Sequence, residues 1–535
     1  MRIFLPSHAA FMALPLLFTA CSVGPDYVAP PPTPTPVANY KDVGNWKPAQ
    51  PNDAMIRGKW WEIYHDPQLN ALEDQVNISN QNVAQAEAQF REAAAAVKVA
   101  RAAFFPTITA NPTYTMSQAS QNLSGGGSRG GGGSGVVTST TDTTGTTAGG
   151  VAIVGGSGGS GQHVGATDIS VYDLPIEATY MVDVWGSVRR NVEANTATAQ
   201  ASFANLENAR LSYQATLAQD YFSLHGLDAQ DELLRSTVSI YEKFLQLTTN
   251  QYNSGIASQA AVAAAKTQLD TAKAQLIGVG VQRAVYEDAI ATLIGKPAPN
   301  FSLRKVSLTG TPPAVPVGVP STLLERRPDI AEAERQVASA NASIGVAVAA
   351  YYPQLTLSAS TGLSAIEFSK LFSGPSFLWS VGPALAQTLF DAGRTHGEVQ
   401  EAQANYDSTV ANYRQVVLTA FQQVQDDLSG LRILEDEGAS QDEAVKAAQQ
   451  SVDISTNEYK AGTIDYLTVI TAQATALNDE LTAITIRTNR MTTSVLLVEA
   501  LGGGWSKARL ANSHGVSDVP QAQAEISKGK TPASP

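Results

Sequence analysis

The hydrophobic positions of this chain follow two rhythms that take turns along its length. Leu69, Leu72, Val76, Ser79, Val83, Ala86, Phe90, Ala93, Val97, Ala100 and Phe104 fall at alternating spacings of three and four. That is the heptad seam of helices lying side by side, and its alanine content requires close approach. Asp66 and Pro67 predict where this helix starts, with a capping carboxylate followed by a proline in the first helical position, where a missing N–H costs nothing. After Pro106 the period becomes two. Ile108, Ala110, Pro112, Tyr114 and Met116 alternate with polar residues, and Tyr172, Leu174, Ile176, Ala178, Tyr180 and Val182 read as a returning strand. The heptad rhythm then resumes at Phe203, Leu206, Arg210, Tyr213 and Leu217.

The same succession occurs twice. VARAAFFP, ending at Pro106, recurs as GVAVAAYYP, ending at Pro353, an offset of 247. Gly186 recurs as Gly393, and Tyr252-x-x-Gly255 as Tyr459-x-x-Gly462, an offset of 207. The second copy has its own alternation at Leu355, Leu357, Ala359 and Leu363, then at Phe377, Trp379, Val381 and Leu385. Its seam is Val410, Tyr413, Val417, Ala420 and Val424. Residues 176–296 and 384–519 contain no proline in a chain that has 27. An unbroken helix from about Ser187 to Tyr252 would be roughly 100 Å long. Gly255 and Gly462 then end helices in the C-terminal glycine role, and a return helix follows each. Each copy reads as helix, β-hairpin, very long helix, turn and return helix. The first occupies 66–296 and the second 321–501, with a linker at 297–320 and a tail at 502–535.

The first copy is longer because of an insertion between Pro106 and Gly186. From Ser124 to Gly161, sixteen of thirty-eight residues are glycine. Such a segment buries too little apolar surface to offset its ordering entropy, so residues 122–164 are expected to form a flexible surface loop. Its two GxSxG strings, at Gly126 and Gly155, lack the strand and helix that a hydrolase elbow needs. The alternating segments are 10–15 residues long, the weak signature of transmembrane strands. Pro112, Pro175 and Pro383 suit strands that bend rather than regular interior ones. Half-buried hairpins of a soluble domain are the alternative reading. Four strands cannot close a barrel, and an open edge is forbidden in lipid, so closure requires several chains. Three would supply twelve strands. The expected fold is a mixed α/β membrane protein: a β-barrel shared between three chains, continuing into a long α-helical coiled-coil barrel.

Composition narrows the function. Net charge is −13, which removes nucleic acid as a partner. Cys21 is the single cysteine and the six histidines are scattered, so no disulfide, metal centre or cofactor site is expected. No nucleophile–base set appears, and the expectation is that the protein is not an enzyme. The six methionines are unclustered, with no sign of a methionine-based copper or silver path. Residues 1–20 read as a signal peptide, with Arg2 before the apolar run Phe11 to Ala20. The run ends Phe18-Thr19-Ala20-Cys21, which resembles a bacterial lipobox and implies acylation of Cys21. Ser22 then looks like an outer-membrane destination. An ordinary signal peptide with an incidental cysteine is the alternative. Residues 23–40 carry six prolines, so 21–65 reads as a lipid anchor and extended tether.

Several strings together resemble one family. They are GPDYVAP at Gly24–Pro30, Trp60-Trp61, DPQLNALEDQ at Asp66–Gln75, LLERRPDIAEAE at Leu323–Glu334, LFDAGR at Leu389–Arg394 and Tyr459-x-x-Gly462-Thr463. The chain is similar to the outer-membrane factors, TolC-like ducts, and most to their lipoprotein branch serving resistance–nodulation–division (RND) efflux pumps. The resemblance implies a homotrimer in the outer-membrane bilayer that reaches into the periplasm. There it would meet a membrane-fusion adaptor and an RND-type inner-membrane pump, and act as a passive exit duct for small molecules such as drugs or toxic compounds. A duct for type I protein secretion is the nearest alternative. A structural coiled-coil envelope lipoprotein is the other, though it would have no use for the hairpins. Tyr252, Gly255, Tyr459, Gly462 and Thr463 match the family's adaptor-contacting tips, with plain helix capping as the other explanation. In many members the return helix after the second tip carries aspartates facing the pore axis. Those positions align here with Thr468 and Thr471, beside the usual leucine, Leu467. The resemblance therefore implies a gate of Leu467 and threonine hydroxyls. Asp465, nearer the turn, is the remaining source of a charged ring, and threonines packed between helices are the plainer alternative.

Overall fold

The structure, a computed structural model, describes residues 22–32, 58–118, 168–308, 310–313, 323–507 and 510. The signal peptide, Cys21 and the glycine-rich segment 122–164 lie outside the described residues. The chain forms two compact units. One is helical and takes its described residues from Met1–Ala103, Asp183–Tyr352 and Thr388–Pro535; the other is a sheet whose described residues come from Phe104–Val182 and Pro353–Gln387.

In the helical unit, α1 (Pro67–Ser79) starts as expected, with the Asp66 carboxylate accepting from the N–H groups of Gln68 and Leu69. The seam is buried at Leu69, Leu72, Val76, Val83, Ala86, Phe90, Val97 and Ala100. The helix is not continuous, however. Asn80 is extended, at φ −67° and ψ 122°, and its side chain caps α2 (Gln81–Ala102) through the N–H groups of Asn82 and Val83. The Asn80 amide also donates to the carbonyl of Leu293 at 2.8 Å. Asparagine is a better cap than helix interior, and a one-residue hinge leaves the three–four spacing undisturbed.

The remaining helices are α3 (Ser187–Asn253), α4 (Gln259–Leu293), α5 (Leu323–Arg326), α6 (Pro328–Ala349), α7 (Arg394–Lys460) and α8 (Tyr466–Ala500). Lengths recur at the offsets read from the sequence. α2 and α6 each have 22 residues, α3 and α7 each have 67, and α4 and α8 each have 35. α3 packs against α1, α2, α4, α6 and α8, while α7 packs against α6 and α8. The main core gathers Trp60, Leu69, Leu217, Tyr221, Leu224, Ile290, Val424 and Val495.

Of the segment 21–65, residues 22–32 and 58–65 are described. Residues Trp60–Tyr64 form a 3₁₀ turn that buries both tryptophans, with the Trp60 indole donating to Gln214. Residues 22–32 do run as a strap over α3 and α6. The N–H of Val23 donates to Trp185, and the Tyr27 hydroxyl donates to Glu334 at 2.8 Å. Asp26 pairs with Arg190 at 2.7 Å. A side chain at Gly24 would meet the Cα of Gly345 at 2.5 Å, so this crossing requires glycine.

In the sheet unit, β1 (Thr107–Ala110) and β2 (Thr113–Gln118) both pair with β3 (Asp168–Val182), which pairs with β4 (Gln354–Ala365), and that with β5 (Phe377–Ala386). All pairings are antiparallel. β1 and β2 share one register on β3, with Ala110 opposite Ile176 and Thr113 opposite Asp173. They are a single strand interrupted at Asn111-Pro112, because proline has no N–H to give the ladder. The two hairpins expected from the sequence are thus joined through β3 and β4 into one sheet.

Candidate functional site

The register divides the sheet into two unlike faces, since successive side chains point oppositely and paired residues share a side. Following the pairs across, Ile108, Ala178, Ala359 and Val381 lie together, as do Ala110, Ile176, Thr361 and Trp379, and Tyr180, Leu357 and Pro383. The other face carries Thr109, Glu177, Ser360 and Ser380 in one row and Thr107, Thr179, Ser358 and Gly382 in the next. Among the described residues nothing covers the apolar face: Trp379 is 69% exposed and Val381 72%. On the polar face Ser360 and Ser380 are hydrogen-bonded across strands at 2.8 Å. Tyr114, Tyr172 and Phe368 form an aromatic ladder at one end of the apolar face, with centroids 4.8 and 5.5 Å apart. The outer strands, β1–β2 and β5, each leave one edge unpaired among the described residues. No described helix is long and apolar enough to cross a membrane.

The two helical tips close alike. Gly255 and Gly462 both have φ of +76°. At the first, the N–H of Gly255 returns to Tyr252 and that of Ile256 to Gln251; at the second, Gly462 returns to Tyr459 and Thr463 to Glu458. Both glycines therefore have a capping role in hand. The tyrosines differ. Tyr252 is exposed, with Ile256 beside it at 78% exposure. Tyr459 is buried against Tyr466, Ala265 and Val469, and its hydroxyl donates to Gln251. The structure thus places Tyr459 in the packing of the tip, while Tyr252, Ile256 and Thr463 face outward. Burial, and then the neighbouring Tyr459 and Tyr241, push the Tyr466 hydroxyl up to about 12.

The four residues of the expected gate come together at the start of α8. The Asp465 carboxylate caps the helix, accepting from the Thr468 N–H at 3.1 Å and its hydroxyl at 2.8 Å. The Thr471 hydroxyl donates to the Leu467 carbonyl. Leu467, Thr468 and Thr471 are exposed, and with Ala448, Ser451 and Ser455 of α7 they line a groove of about 470 Å³. Asp465 is the one charged group in that lining, and its oxygen is engaged in the cap. Among the described residues no group of three or more acidic, histidine or cysteine side chains is placed to hold a metal ion.

A two-faced sheet and paired long helices make up the fold, and comparison with known proteins assigns the family. The family model for outer membrane efflux proteins matches residues 72–296 and 319–503, and the chain belongs to that family. It is 28% identical over 490 residues to the antibiotic efflux pump outer membrane protein ArpC of Pseudomonas putida, spanning 91% of this chain and 93% of the relative. The pyoverdine export outer membrane protein OpmQ of Pseudomonas aeruginosa is 28% identical over 461 residues, 86% of this chain and 90% of that one. Among solved structures, the outer-membrane channel OprN superposes with a TM-score of 0.77 at 26% identity, covering 91% and 100% of the two chains. The Campylobacter jejuni CmeC outer membrane channel has the same fold, with a TM-score of 0.76 at 18% identity over 96% and 99%.

Proposed function

We propose that the protein is the passive exit duct of a tripartite efflux system, conducting small molecules from the periplasm across the outer membrane and performing no chemistry on them. The observation that carries this reading is the sheet: an uncovered apolar face, a hydroxyl-rich opposite face, and two open edges. Lipid tolerates no open edge. Three chains set edge to edge, β5 of one beside β1–β2 of the next, give a closed barrel of about twelve strands with its hydroxyl face inward. In the helical unit the outermost helices are α2 and α4 on one side and α7 on the other, which suits the same head-to-tail ring. Acylation at Cys21 would add an anchor worth about 0.8 kcal/mol per buried methylene. The exposed tip residues Tyr252, Ile256 and Thr463 would meet a periplasmic adaptor that links the duct to an inner-membrane pump of RND type. Leu467, Thr468 and Thr471 would form the gate, its charge limited to the capped Asp465.

Two substitutions one residue apart test the wall. Val381→Arg puts a charge on the lipid face, at about 2–4 kcal/mol mid-bilayer, whereas Ser380→Arg puts it toward the lumen. Trimer yield in outer-membrane fractions, read by cross-linking and light scattering, should collapse for the first and persist for the second. Equal tolerance of both would remove the barrel reading.

A further inference from the structure

The exposed positions of α8 continue well beyond the gate. Thr468, Thr471, Thr475, Asn478, Thr482 and Thr485, ending at Asn489, are all exposed and alternate in spacing between three and four. The row therefore holds one side of α8 for most of its 35 residues. It contains no charge. Its threonines also have no hydroxyl proton to offer. Thr475 donates to the Thr471 carbonyl at 3.0 Å, Thr482 to Asn478 at 2.8 Å and Thr485 to Leu481 at 2.9 Å, repeating the bond from Thr471 to Leu467. What faces outward is a methyl group and an oxygen lone pair at each threonine, and a neutral amide at Asn478 and Asn489. Nearby charges sit off the row: Asp479 and Glu480 are half-buried and accept from Gln441 and Gln449, and Arg487 is exposed two residues from both Thr485 and Asn489, on the other side of the helix.

α8 has packing partners in α3 and α7. Those helices leave its exposed row uncovered. It is in register with the gate residues, so if they face the pore axis the row does too. Resting on the exit-duct reading, we infer that this row is the lumen wall above the gate, and that it makes the stretch indifferent to charge and suited to uncharged amphiphilic molecules. A carboxylate close to a cation attracts it strongly in a confined, low-dielectric lumen, and beyond the capped Asp465 this row presents none. Methyl groups and lone pairs accept apolar surface and hydrogen-bond donors without demanding an ion.

Cys21 is the only natural cysteine, so single-cysteine mapping is clean once it carries lipid. Thr475→Cys and Thr482→Cys channels in planar bilayers should lose conductance when treated with either cationic or anionic methanethiosulfonates. The two reagents should react in the same ratio as with a free small thiol. Thr475→Asp should then speed the cationic reagent at Thr482→Cys about tenfold, as a focused ring of charge does. Open channels in which neither cysteine reacts would show the row packed against protein, and a wild-type background strongly favouring the cationic reagent would show a charged lumen. Either overturns the inference and leaves the duct standing. A preparation that forms trimers without conductance removes the exit-duct reading, and this inference with it.

Discussion

The long helices α3 and α7 have the same length to the residue, and one is an interior helix while the other lies at the side of its unit. Positions 207 apart show how. Gly226 of α3 lies against α8, where an added Cβ would meet the Thr488 hydroxyl at 2.2 Å. Its counterpart on α7, Ile433, is 55% exposed. Asp228 is buried and meets Arg283 at 2.6 Å. Its counterpart, Glu435, is mostly exposed and approaches Arg490 only at 3.8 Å. Burial works against the charged form of Asp228, but hydrogen bonds from His225 and Arg283 outweigh it and hold the carboxyl below its usual range. The repeat sets where helices begin and end. A few side chains, together with the linker that follows α4, decide which copy is enclosed.

The largest contrast should come from the acid pair. Asp228 also accepts from the N–H of Val306, and Arg283 donates to the Leu303 carbonyl, so the pair ties the linker to α3 and α4. Asp228→Ala breaks the buried pair and leaves Arg283 with Glu287 as its remaining carboxylate, and should cost about 3 kcal/mol. Glu435→Ala removes a long, exposed contact and should stay within about 1 kcal/mol. Thermal unfolding of the purified protein in detergent measures both. Comparable losses would mean that the linker does not enclose α3.

A smaller contrast should appear at the glycine. Gly226→Ile gives α3 the side chain that α7 already carries, and overpacking there should cost about 1–3 kcal/mol. Ile433→Gly should cost about 0.5–1 kcal/mol, the helix propensity of an exposed glycine. If Gly226→Ile proved neutral, the close approach of α3 and α8 would not persist in the assembled protein.

Much of this was legible in the sequence because heptad spacing, proline-free runs and capping glycines are local signals. Both ends of α3 and of α7 fall at or beside Gly186, Gly255, Gly393 and Gly462, and the strands follow their alternation. Asn80 was missed because a cap and a polar seam neighbour look alike in a periodic row. The partnership of β3 with β4 was missed because it joins strands far apart in the chain. The two faces of the sheet could be read strand by strand, but that they align across all the strands depends on register. At the tips, Tyr252 and Tyr459 are identical by motif. Tyr466, Ala265 and Val469, packed with the second, separate the buried tyrosine from the exposed one. The threonine row of α8 was open to inspection throughout. Its start at Thr468 and Thr471 coincides with the family's gate positions, and the same three–four spacing carries it on to Asn489.

The smallest contrast is one of pH, between the repeat-related Asp220 and Asp427. Burial raises Asp220 to about 6. Burial first, then Asp426 and Glu499, raise Asp427 to about 7, with Arg327 pulling the other way. Arg327 cannot neutralise this cleft, because its guanidinium is already committed to Asp329, Gln423 and the Ala500 carbonyl. Above the unfolded value of 3.8 the unfolded chain releases these protons while the folded protein keeps them. Stability must then fall as pH rises, until about 6 for Asp220 and about 7 for Asp427, and level off beyond. Asp427→Asn should flatten the part of the decline between pH 6 and 7, and Asp220→Asn only the part below 6. Glu332 and Glu499, each raised to about 7 chiefly by burial, leave a residual slope in both variants. Unfolding midpoints measured from pH 4 to 8 would show the two steps. If Asp220→Asn flattened the upper window and Asp427→Asn did not, the crowding of carboxylates beside Arg327 would not be what separates the two copies.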